Sequence, residues 1–170
     1  MKTTMSKTMA RMAAAVAALL TLGISNAAAG LIEVKQTIWG MDCAPCAYGM
    51  EKGLKKLEGV KKVKVSLNNG NAVIQFAPDN KLALADIRRV VRDGGFTPKE
   101  AIIKISGTLQ RKDGELRLQV GNEDYALKPS EKAKDAWRRL QEGRTDVIVA
   151  IVGQTPVEHD DQINVQEVKQ

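Results

Sequence analysis

Cysteine and histidine are nearly missing from this chain of 170 residues, which has two cysteines, Cys43 and Cys46, and one histidine, His159. His159 sits in "VEHDD", where three acids could suggest a metal site, but no second nitrogen or sulfur ligand stands nearby. A Cys–His hydrolase would need His159 brought to one cysteine, with a third group to orient it; the sequence indicates neither, and no catalytic constellation is visible. Aromatic residues make up only 4% of the chain. Its C-terminal part offers only Tyr125 and Trp137, and Trp137 reads as core, which is too little for a stacking platform on single-stranded nucleic acid. Long apolar runs are also missing. The longest, Met12–Ile24, has 13 residues, whereas a membrane-spanning helix needs about 20. There is no internal repeat, no low-complexity tract after residue 29, and no Pro/Gly/Ser linker near 99–105.

What the amino terminus does contain is Lys2, Lys7 and Arg11, then the apolar run, then small residues ending in Ala27-Ala28-Ala29. This is the pattern of a secretory signal peptide cleaved after Ala29. The formal charge of +6 falls once residues 1–29 are set aside, because residues 30–170 hold 23 basic and 20 acidic side chains, a net +3. That is a weak electrostatic case for nucleic acid. The expected location is the periplasm, or outside the cell, with no stable membrane insertion after cleavage. In such an oxidising compartment two cysteines pair unless something keeps them reduced or occupied.

From Gly30 the chain reads in two blocks. "LIEVKQTIW" alternates, with Ile32, Val34 and Ile38 on one face and Glu33, Lys35 and Thr37 on the other, as a half-buried strand does. From Pro45 the period becomes helical, with Cys46, Met50, Leu54 and Leu57 on one face and Gly59 as the stop. Pro45 suits a first turn because its missing N–H has no intrahelical partner there. "VKKVKVSL" and "AVIQF" are strands joined by the turn "NNGN". A second amphipathic helix spans roughly Leu82 to Arg92, buries Leu84, Ile87 and Val91, and stops at Gly94 and Gly95. "FTPKEAIIKI" is a fourth strand. Strand, helix, strand, strand, helix, strand is the ferredoxin-like order.

The cysteines lie in the loop before the first helix. Their spacing fits a metal clamp, a redox couple or a small disulfide. A disulfide closing so short a loop stabilises little through loop entropy. Thiolates are soft ligands that favour Cu(I), Hg(II), Cd(II) and Zn(II), and the positive end of the helix dipole lowers a thiol's pKa.

"GMDCAPC", the helix after it, "LEGVKKVKVSLNNGNAVIQF" and "RDGGFTP" together resemble the heavy-metal-associated domain over about residues 31–100. That family includes copper chaperones, periplasmic mercury-binding proteins and the amino-terminal domains of metal-exporting ATPases. The resemblance implies a metal held by Cys43 and Cys46, with Met41 packed beneath the loop and Phe96 shielding it. Asp42 resembles the acid found at this position in zinc-, cadmium- and lead-exporting members, where the carboxylate can join the thiolates. It also implies a partner, either a metal-transporting membrane protein or another metal carrier, recognised in part through charged surface around the first helix.

The second block has strands "IIKISGTLQR" and "ELRLQV" joined by "KDG", a shorter strand "DYALKPS", a helix "EKAKDAWRRLQEG", and strands "TDVIVAIVG" and "INVQEV". The helix is expected to turn Ala133, Ala136, Trp137 and Leu140 inward. Three strands, a helix and two strands is the order of an OB-like barrel. The expected organisation is therefore a signal peptide at 1–29, an α+β ferredoxin-like domain at 30–101 and a β-rich, OB-like domain at 102–170. The expected function is non-enzymatic binding and transfer of a soft metal ion, Cu(I), Hg(II), Zn(II) or Cd(II). The alternatives are a thiol–disulfide oxidoreductase using the same pair, or a structural adaptor. No nucleic-acid partner is expected.

Overall fold

The computed structural model describes residues 29–78 and 80–169. The signal peptide expected at 1–29 lies, but for Ala29, outside the described residues. Among the described residues eight strands and three α-helices follow one another: β1 (Gly30–Trp39), α1 (Ala44–Lys55), β2 (Val60–Ser66), β3 (Asn71–Phe76), α2 (Leu84–Asp93), β4 (Thr97–Lys112), β5 (Glu115–Val120), β6 (Glu123–Lys128), a short 3₁₀ turn (Glu131–Ala133), α3 (Lys134–Glu142), β7 (Val147–Thr155) and β8 (Gln162–Lys169). No described helix is long and apolar enough to cross a membrane.

The first four strands pair in the order β2-β3-β1-β4, all antiparallel, with α1 and α2 in the connections, which is the ferredoxin-like arrangement. The apolar periods explain why. Met50 and Leu54 of α1 and Leu84, Ile87 and Val91 of α2 are buried against Val34, Ile38, Val63, Ile74 and Ile103 of the sheet. Two local readings need correction. Ile32 does not face the core with Val34. A bulge between Leu31 and Glu33 inserts an extra residue against β4, so Leu31 is buried and Ile32 is turned out. Nor does α1 run to Gly59. It ends at Lys55 with Lys56 as its cap, and Gly59 (φ +90°) makes a turn in which a Cβ would stand 2.7 Å from the Asn80 Cβ.

β4 is shared by both blocks. It runs unbroken for 16 residues, straight through the boundary expected at 101/102. From Ala101 to Ser106 it is paired on both sides, with β1 on one edge and β7 on the other. Past Gly107, β5 takes the edge that β1 leaves. Gly107 permits the exchange, because a Cβ there would stand 2.6 Å from the Gln119 carbonyl oxygen and from the Val120 side chain. The second block then closes on itself in the order β4-β5-β6-β8-β7-β4, with the β6–β8 pair parallel. Its helix α3 buries Ala136 and Leu140, whereas Trp137 is only partly covered. One hydrophobic cluster runs through both blocks, from Leu31 to Val165.

A buried polar cluster centred on Arg88 ties the blocks together. The Arg88 side chain on α2 is wholly buried. Its Nε donates to Gln36 Oε1 (3.4 Å), and its Nη groups donate to the backbone carbonyls of Lys99 (3.3 Å), Thr155 (3.2 Å), Pro156 (2.9 Å) and Val157 (3.3 Å), and to the Asp160 carboxylate. The Thr155 carbonyl ends β7, and the carbonyls of Pro156 and Val157 and the Asp160 carboxylate belong to the β7–β8 connection. Gln36, also buried, donates to the carbonyls of Thr37 and Lys99.

Tyr125 on β6 is 3% exposed, and burial, with Glu123 nearby, pushes its hydroxyl up to about 12. The neutral form is therefore the folded form. This contribution to stability is complete below the unfolded tyrosine value of about 10 and is lost as pH rises toward about 12. Absorbance at 295 nm is expected to show Tyr125 ionising together with alkaline unfolding, and Tyr125→Phe should remove that coupling. A Tyr125 that ionises near 10 in a folded protein would contradict its burial.

Candidate metal centre

The loop between β1 and α1 is built from its backbone outward. Gly40 adopts φ +87°, a left-handed conformation in which a side chain would be strained, and this turns the chain out of β1. Met41 then points into the core at 6% exposure, the packing role expected of it. Asp42 is exposed and Cys43 half-buried. Cys43 is the N-cap of α1, with extended backbone (φ −128°, ψ 149°), and its Sγ accepts a hydrogen bond from the Cys46 N–H at 3.1 Å. Cys46, also half-buried, stands in the first helical turn after Pro45. Both sulfurs thus sit at the positive end of the helix dipole, among N–H groups with no intrahelical partner, an environment that favours anionic sulfur. No acidic residue occupies that first turn to offset it.

Asp42, Cys43 and Cys46 are brought together as the sequence suggested, with one ligand atom of each within 4.8 Å of the others. The cysteines are joined in a disulfide. This is the oxidised form of the pair, and a sulfur in that bond is not a thiolate ligand.

Phe96 reaches the loop from the end of α2. That end is a Schellman motif, with the Phe96 N–H bonded to the Val91 carbonyl (3.1 Å), the Gly95 N–H to the Arg92 carbonyl (2.9 Å), and Gly95 at φ +83°. A groove between α1 and α2 is lined by Cys46, Met50, Gly53, Val90, Gly94 and Phe96. Packing is close at Gly94, where a Cβ would meet Met50 Cε at 2.9 Å and Phe96 Cδ2 at 3.2 Å.

Sequence reasoning passed over two aromatics beside the loop. Trp39 (64% exposed) has Lys99 Nζ 4.2 Å above its ring, and Tyr48 (63% exposed) has Lys52 Nζ at 4.6 Å. Their position next to the cysteines was the available signal. His159 is exposed and belongs to the β7–β8 connection.

The model of the heavy-metal-associated domain family matches residues 37–97. Among curated relatives, a copper-transporting ATPase of Helicobacter pylori is 39% identical over 67 residues, covering 39% of this chain and 9% of the ATPase. Human copper-transporting ATPase 2 is 44% identical over 71 residues, covering 42% of this chain and 5% of the ATPase. The chain therefore spans less than a tenth of each of these relatives. Among solved structures, a copper binding domain from HMA7, a P-type ATPase, is 34% identical and is covered over 92% of its length and 44% of this chain, with a TM-score of 0.36.

Proposed function

Residues 37–97 are a heavy-metal-associated domain, and from that premise we propose that the chain binds a soft metal ion between Cys43 and Cys46 and passes it on, without catalysing a reaction. The observation that carries this reading is the placing of Cys43, Cys46 and Asp42 at one helix N-terminus, with ligand atoms within 4.8 Å of one another. Uptake begins with reduction. A dithiol reductant supplies two electrons and two protons, becoming a disulfide itself as Cys43 and Cys46 become two thiols, and the metal then displaces both thiol protons. Two thiolates satisfy a near-linear Cu(I) or Hg(II) ion but leave Zn(II) or Cd(II) short of four ligands, a deficit to which Asp42 could add one oxygen. The similarity to copper-transporting ATPases, with the preference of soft thiolates for Cu(I), makes Cu(I) the first ion to test.

The Lys2, Lys7 and Arg11 start, the apolar run and Ala27-Ala28-Ala29 support export to the periplasm or beyond the cell. A metal-transporting membrane protein or another carrier is the proposed recipient. The strand order of the second block, with its parallel β6–β8 pair and a helix between β6 and β7, supports reading residues 102–170 as an OB-like barrel appended to a metal-binding unit at 30–101. One observation favours a second reading. The bonded pair at a helix N-terminus is also where a thiol–disulfide oxidoreductase keeps its leaving thiolate.

Metal competition after anaerobic reduction tests the proposal. One Cu(I) per chain should resist a competing chelator, and the oxidised protein should hold none. Asp42→Ala should weaken Zn(II) and Cd(II) by about ten- to a hundredfold, as loss of a charge-assisted contact does, and Cu(I) and Hg(II) far less. Equal, salt-sensitive losses for every metal would place Asp42 outside the site. Multiple turnovers of a disulfide substrate with no metal retained would favour the oxidoreductase.

A further inference from the structure

The helices cover one face of the ferredoxin-like sheet, and the opposite face carries an unusual charge pattern. Strand register aligns two neighbouring rows there. One runs Lys62, Gln75, Glu33, Lys104, and the next Lys64, Val73, Lys35, Ile102. Lys35, Lys62 and Lys64 are exposed, Lys104 is half-buried, and Ile102 is 41% exposed. With strands about 4.8 Å apart and alternate residues about 7 Å apart, four ammonium groups share a patch about 15 Å across. Among the described residues none of the four lysines forms an ion pair, and Glu33 accepts only from Gln75 Nε2, at 3.0 Å. The two rows carry +3, equal to the net charge of residues 30–170, so the other charges in that span cancel. Like charges gathered on one sheet face work against pairing, and within the two rows Glu33 offsets only one of the four.

We infer that this face adsorbs to an anionic lipid bilayer surface. Protein interfaces are depleted in lysine and enriched in arginine and aromatics, and the two rows hold neither arginine nor aromatic. RNA-binding sheets of this topology stack bases on aromatics of their strands, whereas the central strands here present Glu33, Lys35, Val73 and Gln75. Dispersed point charges with aliphatic side chains between them suit a headgroup layer, where each lysine strengthens binding roughly fivefold. Trp39 follows Lys35 and Thr37 in alternation at the loop end of β1, and an exposed indole is at home where one side is apolar and the other wet. Adsorbed this way, the chain would hold α1, α2 and their groove away from the lipid, with the cysteine loop at the rim. The inference does not depend on metal binding, and the chelator competition above is unaffected by its outcome.

The test is co-sedimentation of the protein as isolated with vesicles of phosphatidylglycerol and phosphatidylcholine, or of phosphatidylcholine alone. Binding should require phosphatidylglycerol and fade with salt. It should fall about a hundredfold in Lys62→Glu/Lys64→Glu and stay within about threefold in Lys52→Glu/Lys56→Glu, a helix-side pair with the same charge change. Circular dichroism checks the fold, and Lys62→Gln/Lys64→Gln replaces the first pair should it unfold. Equal binding to phosphatidylcholine alone, no binding to either vesicle, or equal losses in both pairs would overturn the assignment. Capture by polyglutamate without vesicle binding would overturn it in favour of an acidic protein.

Discussion

Alanine at Arg88 will cost the fold about 3–5 kcal/mol, the sum expected from a cavity and from buried acceptors left without a donor. The guanidinium is wholly buried and serves acceptors from Gln36, Lys99, Thr155, Pro156, Val157 and Asp160. Removing it strands the buried Thr155 carbonyl and Gln36 Oε1, takes a donor from three part-buried carbonyls and leaves a cavity, each a separate penalty. Asp160→Asn should cost far less, because that carboxylate is 37% exposed and water can replace its partner. Arg88→Lys should recover little, since an ammonium cannot reproduce the planar fork. Urea denaturation measures all three. A loss below about 1 kcal/mol for Arg88→Ala would mean that the cluster contributes packing alone.

The second large effect falls on the metal. Cys43→Ser and Cys46→Ser should each lower Cu(I) affinity of the reduced protein by orders of magnitude, because a hydroxyl is a hard, protonated ligand at neutral pH. Stability should change little. Both residues are only half-buried, and serine remains a good N-cap at position 43. Competition titration of the single and double variants reads the affinity, and the urea midpoint reads the fold. A double variant that still holds one Cu(I) with unchanged affinity would remove both cysteines from the site.

The elements of the first block were legible because their periods are simple. Leu84, Ile87 and Val91 repeat at helical spacing and are buried as that spacing requires. The loop was legible because Gly40, Met41, Cys43 and Cys46 each satisfy a separate local demand. Ile32 was misplaced because a bulge shifts the alternation by one, and nothing in "LIEVK" marks it. Arg88 was invisible for a different reason. On a helix with charged neighbours, an arginine facing the core reads as surface, and four of its six acceptor residues lie 67 to 72 residues onward. The redox form of the cysteines was also beyond reach, because one spacing serves thiols, a disulfide and a metal clamp alike.

The doubly paired stretch of β4 makes the chain hard to cut. A fragment ending near residue 101 would keep the cysteine loop but lose most of Arg88's acceptors and most of β4 itself. A fragment extended to Lys112 would regain β4, yet from Ala101 to Leu109 the edge that β7 occupies would lie open. That segment, "AIIKISGTL", is rich in β-branched residues and has a single charge. An open edge of this kind recruits strands from other molecules. Self-association of truncated forms, rather than unfolding, is then the expected failure, and the appended barrel acts as a built-in guard against it.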